Sequence, residues 1–238
     1  MSWKFSGRAS DWQIVDNLSN HFFLIGEKMK PFIVCHLMLL CVLFCSSCSE
    51  SQSQSGADNT KKQDGSPMTF MELAKRRYAV RKYSDRQVSK ETLVKILEAG
   101  NVAPTAMNFQ PHRIRVLQKE EDLAKLDELT HCRYGASTVL LFTYDADEDW
   151  KNPLEEGVHS GVEDVSIVAT HIMLQATELG VSTIWVNYFA NSELEKAFGI
   201  PENEKSVLLM PVGYAAEDSK PSTSHFEKKP LEDTVLWN

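Results

Sequence analysis

Residues 162–180, VEDVSIVATHIMLQATELG, carry apolar side chains around most of a helical circumference. That pattern predicts a helix buried on nearly every side. The segments around it alternate in period. Thr69 with Glu72 three residues on forms a capping box that opens a short helix, and Ser89 opens a second, with Leu93, Ile96 and Leu97 on one face and Gly100 near its end. RIRVLQ alternates as a half-buried strand, EEDLAKLDELT reads as an exposed helix, and STVLLFTYD as a buried strand. After the long helix, VSTIWVNYF predicts a strand, Ser192 with Glu195 another capping box, and KSVLLMPVGYA a last core strand. No period repeats. The prediction is one α+β domain over residues 67–238, a central mixed or antiparallel sheet flanked by helices. A long helix apolar all round needs more cover than a domain of this size supplies, so a homodimer is expected.

The pattern changes character toward the N-terminus. Lys28 and Lys30 precede an apolar run over 32–44, followed by small Ser46 and Ser47 and then Cys48. The run is short and interrupted by His36, which suits an export signal better than a membrane span. CSSC resembles a bacterial lipobox, with Cys45 where leucine is usual, and implies that Cys48 is lipidated. The expected organisation is therefore 1–28 upstream of the start at Met29, 29–48 a signal, and 49–66 a tether too poor in apolar residues to fold. The expected location is the bacterial cell envelope, held to a membrane by the lipid; without a functional signal it is the cytoplasm. Cysteine usage divides at the same place, since Cys132 is the one cysteine beyond Cys48 and no internal disulfide framework exists.

Charge narrows the chemistry. A formal net charge of -8 argues against nucleic-acid binding. Against that background KRRYAVRKYS crowds Lys75, Arg76, Arg77, Arg81 and Lys82 together without an acid, a site for one small anion or a solvated helix end. No G-x-G-x-x-G, G-x-x-x-x-G-K-[ST] or G-x-S-x-G occurs. His159 and Glu163 are spaced i, i+4, but Asp164 and His171 would lie about 10 Å apart along a helix, too far for one ion. APTAMNFQPH offers backbone N–H groups and the Asn108 and Gln110 amides from a loop stiffened by Pro104 and Pro111, and HFEKKPLED adds Lys228 and Lys229. A phosphate held by cations and a polar ring held by an amide-rich loop describe a nucleotide-like ligand.

In these stretches the chain resembles the FMN-dependent nitroreductases over most of 68–238. RRYAVRKY is similar to the family's phosphate motif, APTAMNFQPH to its Pro-Ser-Ser-x-Asn-x-Gln-Pro-Trp loop, DVSIVATHIMLQATELGVSTIWV to its central helix and strand, and MPVGYAAED with KKPLED to its closing strand and basic tail. The resemblance implies FMN, with its phosphate on Arg77 and Lys228 and the backbone at Tyr78 and Ala79, and with Arg81 at the pyrimidine edge. It implies that Pro104, Thr105, Ala106 and Asn108 reach the flavin of a partner subunit. Flavin N5 would carry hydride from NAD(P)H to a small flat acceptor such as a nitroaromatic or quinone, with no metal and no catalytic side chain; if the domain is exported, a membrane redox partner is the expected donor instead. Alternatives left open are a reductive dehalogenase of the iodotyrosine deiodinase type and a flavin-binding protein without turnover. Ala79, Ala106, His112, His171 and Lys228 depart from the residues usual in the family. His171 reads as a satisfied buried imidazole, Trp185 and Tyr188 as core or interface aromatics.

Overall fold

The computed structural model describes residues 68–238. The leader, Cys48 and the tether lie outside them. Helices α1 (Phe70–Arg76) and α2 (Lys90–Asn101) begin where local chemistry places them. The Glu72 carboxylate accepts the Thr69 N–H at 2.8 Å while the Thr69 hydroxyl accepts from Glu72 N–H, and the Ser89 hydroxyl accepts from Thr92 N–H. Strand β1 (His112–Leu117), helix α3 (Glu120–Leu129), strand β2 (Thr138–Asp145), helix α4 (Gly161–Glu178), strand β3 (Ser182–Thr183), helix α5 (Asn191–Phe198) and strand β4 (Glu204–Gly213) follow.

The sheet runs β1-β2-β4-β3 with every named pair antiparallel, and a single parallel bridge joins Ala79 to Thr183 at its edge. Alternation in β2 and β4 builds two cores. Leu140, Phe142, Leu208 and Met210 face Ile96 of α2 and Val168 and Ile172 of α4, while Val139, Leu141 and Leu209 face Leu126 of α3 and Leu194 of α5. This is the expected α+β architecture.

Two local expectations are corrected. The strand after α4 pairs regularly only at Ser182–Thr183. The Ile184 N–H donates to the Pro211 carbonyl, but proline has no N–H to return, and pairing resumes only as an isolated bridge at Val186 and Leu209. Ser192 lies inside α5 rather than at its cap, and Glu195 accepts from the N–H and hydroxyl of Ser206 instead. Gly100 stands near the end of α2, as expected. It lies inside α2 where a Cβ would stand 2.7 Å from Ile172 Cδ1, so its missing side chain lets α2 and α4 close together. Helix α4 buries Val165, Val168, Ala169, Ile172 and Ala176, yet it exposes Val162 and Ile167, so one chain covers one side of it only. His171 on this outer side is half-buried, its Nδ1–H donating to the Ile167 carbonyl at 2.9 Å.

One polar network ties three strands together. Arg115 of β1 donates to Glu204 of β4 from both terminal nitrogens, at 2.7 and 3.0 Å, and Thr143 of β2 donates to the same carboxylate at 2.6 Å. The Arg115 hydrogen bond, with support from Thr143, holds the Glu204 carboxyl below its ordinary range. The folded state therefore binds this proton more weakly than the unfolded chain. Its stabilisation is complete above the unfolded pKa and is lost as pH falls through the folded one. Urea midpoints measured from neutral to acid pH are expected to fall less steeply in Glu204→Gln than in the natural protein.

Candidate functional site

The basic stretch begins as a helix end. Lys75 and Arg76 occupy the last turn of α1, where cations oppose the partial negative charge of its free carbonyls. Arg77 caps the helix, its N–H bonded to the Leu73 carbonyl at 3.1 Å, and its extended ψ of 129° turns the chain away. Residues 78–84 then run between β3 and the segment after β4. Val80 N–H donates to the Thr183 carbonyl, Ser84 N–H to the Tyr214 carbonyl, and Ala216 N–H to the Lys82 carbonyl. Tyr83 is locked beneath, its hydroxyl donating to the Pro211 carbonyl at 3.2 Å, and burial pushes that phenol well above its ordinary value.

A cleft of about 340 Å³ opens beside Arg77, walled also by Tyr78, Arg86, Ser182, Thr183 and Tyr214. Arg76 lines it too, and no carboxylate does. Arg86 lies over the Tyr214 ring, 3.8 Å from its centroid, which spends its cationic face on stacking. Among the described residues the Arg77 guanidinium has no hydrogen bond or ion pair, and the Thr183 hydroxyl is buried without a partner. A free guanidinium and an orphaned hydroxyl in an acid-free cleft fit a phosphate ligand.

The other expected residues fall into two groups. Tyr78 meets His225 edge to face at 6.3 Å, which brings the C-terminal segment against the motif, and Lys228 follows three residues later, exposed. Ala79 is half-buried against Thr183. Arg81 is not among the residues that wall the cleft; it donates to the Ala79 carbonyl at 3.4 Å and stands beside Tyr134. The Tyr134 hydroxyl donates to Cys132 Sγ, and that bond raises the phenol's pKa while Arg81 opposes the rise.

The second group stands elsewhere. Pro104 is exposed, Thr105 and Ala106 are half-buried, and Met107, Asn108 and Gln110 all adopt positive φ, at 51°, 59° and 53°. Such backbone persists only where the surroundings fix it. Asp164 supplies much of that restraint. It is 2 % exposed and accepts from the Ala106 N–H at 2.8 Å and the Ser160 hydroxyl at 2.7 Å, while Gln110 N–H donates to Thr105 Oγ1. His112, next to this loop, has an imidazole pKa lowered by burial and then by Arg113, with Asp164 opposing. Asp164 is in the first turn of α4, whereas Thr177, which lines the Arg77 cleft, is thirteen residues along the same helix. The two groups thus sit about 20 Å apart along one helix. One chain does not bring Asn108 to Arg77.

Arg86, Asp164 and Thr183 were not singled out from the sequence as parts of this site. Asp164 did carry a signal, an acid at the buried phase of an apolar helix; Thr183 and Arg86 carried none.

The nitroreductase family model matches residues 74–134 and 133–214. A protein of Methanothermobacter thermautotrophicus, whose name pairs NADH dehydrogenase with NAD(P)H nitroreductase, is 30 % identical over 178 residues, 68 % of this chain and 89 % of its own. The structure of a nitroreductase family protein from Clostridium difficile 630 superimposes with a TM-score of 0.67 at 37 % identity, covering 71 % of this chain and 98 % of that one. An FMN-dependent nitroreductase from Clostridium difficile R20291 gives 0.57 at 26 % identity, covering 70 % and 97 %.

Proposed function

The chain belongs to the nitroreductase family, and on that premise we propose that it is an FMN-dependent oxidoreductase moving two electrons from a reduced nicotinamide to a flat electron-poor acceptor such as a nitroaromatic or quinone. The observation that carries this reading is the acid-free cleft with the unengaged Arg77 guanidinium and the orphaned Thr183 hydroxyl. Relatives named for NAD(P)H-dependent reduction and for FMN support it.

Bound FMN would supply hydride acceptance and donation at N5. The chain's own residues bind and polarise. Arg77, with Lys228 from the tail, neutralises the phosphate, and the backbone at Tyr78 and Ala79 fixes its position. Arg81 lies four residues beyond Arg77 in extended chain, about 13 Å at most, a span that phosphate, ribityl chain and ring edge can cover. Its fixed charge favours the negative charge that the pyrimidine edge carries once reduced.

The separation of the two residue groups favours assembly from two copies. The exposed apolar side of α4, with Val162 and Ile167, is the face a second copy would cover, and Pro104, Thr105, Ala106 and Asn108 would then reach its flavin. Sedimentation as a monomer at micromolar concentration would remove that loop from the site. Lipidation of Cys48 and export are proposed on the leader alone. Among the described residues no helix is long and apolar enough to cross a membrane. Unchanged membrane association in Cys48→Ser would remove the anchor, and a membrane redox partner as donor with it.

The test of the site is a fluorescence titration with FMN. Arg77→Ala is expected to weaken binding ten- to a hundredfold, about 1.5–3 kcal/mol for one charge-assisted contact. Arg76→Ala, one residue back in the helical turn, is expected to do far less. Equal losses would refute the assignment.

A further inference from the structure

Arg86 belongs to the wall of the Arg77 cleft, and the chain holds it there from two sides. Two residues before it, Ser84 meets the Tyr214 carbonyl twice, donating from its N–H at 2.9 Å and from its hydroxyl at 3.3 Å. Two residues after it, Val88 is buried in the core between the sheet and helices α2 and α4. Between these anchors the Arg86 guanidinium lies over the Tyr214 ring, 3.8 Å from its centroid.

Stacking decides what Arg86 has left to offer. A guanidinium is flat and carries its N–H donors in its own plane, so a ring beneath it engages the face and leaves the edge free. The ring also holds the cation without an acid, and it restricts the side chain before any ligand arrives. Among the described residues the Arg86 guanidinium has no hydrogen bond or ion pair. The charge of the ligand supplies the matching need. A phosphate monoester carries about -1.5 to -2 charge at neutral pH, more than Arg77 alone cancels. No carboxylate lines the cleft, and Lys228, exposed on the tail, is not among the residues that wall it. Arg86 is.

We propose that Arg86, held flat on Tyr214, is a ligand of the FMN phosphate, so that the cleft brings two guanidiniums, Arg77 and Arg86, to one dianion beside the Thr183 hydroxyl. The inference rests on the FMN reading and adds to it a residue outside the motifs that carry the resemblance. Tyr214 is the positioning residue of the pair, because its ring sets the plane in which the Arg86 donors lie. What the pair selects is the phosphate itself. A flavin without one meets neither guanidinium.

The test titrates the full chain, by flavin fluorescence, with FMN and with riboflavin, which has the same ring and ribityl chain and no phosphate. Arg86→Gln is expected to weaken FMN about five- to twentyfold and to leave riboflavin within about twofold, which reports an intact fold and ring site. Tyr214→Phe keeps the ring and is expected to bind FMN as the natural protein does. Tyr214→Leu is expected to weaken FMN by less than Arg86→Gln and to add little in an Arg86→Gln background, because the ring acts through the arginine. FMN affinity unaltered by Arg86→Gln, or FMN and riboflavin weakened alike, would overturn the assignment; a Tyr214→Leu loss of the same size with and without Arg86 would remove the positioning role. If Arg77→Ala weakens FMN and Arg86→Gln does not, the FMN reading stands and this inference alone fails. If the natural protein binds neither flavin, the FMN reading fails and the inference falls with it.

Discussion

Asp164→Ala is expected to be among the most damaging single changes in the domain, at about 3–4 kcal/mol. The alanine leaves two donors without acceptors, the half-buried Ala106 N–H and the buried Ser160 hydroxyl, and each orphaned group costs about 1–3 kcal/mol. The damage extends beyond stability. With three positive-φ residues between 107 and 110, the loop has no reason to keep its shape once its tether is cut. Urea denaturation gives the stability loss, and hydrogen exchange at Ala106 should accelerate more than exchange in β2. Asp164→Asn keeps one acceptor and should lose roughly half as much. A loop whose exchange is unchanged by Asp164→Ala would show that Asp164 does not shape it.

Gly161→Ala is expected to cost about 2–3 kcal/mol even though alanine is the better helix former by about 1 kcal/mol. A Cβ at this first position of α4 would lie 2.3 Å from Cδ2 and 2.5 Å from Cε2 of Tyr144. That ring is buried and backed by His159, so it has little room to retreat. The midpoint of thermal unfolding should drop by about 5–10 °C. In a Tyr144→Leu background the added methyl should cost distinctly less, because the clashing ring atoms are gone; equal costs in both backgrounds would place the strain elsewhere.

What was legible in the sequence was local. The box at Thr69 and the helix start at Ser89 read correctly because each cap and its target are three residues apart and no distant group competes. Ser192 and Glu195 have the same spacing and failed, because Ser206 of β4 offers Glu195 two donors. The strand after α4 failed for a reason lodged in another strand, the missing N–H of Pro211. Among the proposed site residues, Arg77 and Arg81 stood out by charge density against an acidic chain. The orphaned hydroxyl of Thr183 and the tethering role of Asp164 were hidden, since both depend on segments far off in sequence; Ala106 is 58 positions from Asp164. That the Arg77 and Asn108 groups stand at opposite ends of α4 is likewise a fact of packing, which no motif spacing encodes.

The clamp that holds residues 78–84 between β3 and the stretch after β4 also sets an order of events in the life of the chain. Ser84 meets Tyr214 across 130 positions, and Lys82 reaches Asp218 across 136. Contacts of such range bear a large loop-closure entropy and form after the local helices and neighbouring strands are in place. During translation the basic stretch leaves the ribosome early and waits, while the segment that walls the other side of its cleft is among the last to emerge. On the proposed assignment, cofactor capture would follow translation, and a chain truncated before Tyr214 would carry Arg77 and Arg81 without the wall that Tyr214 gives their cleft.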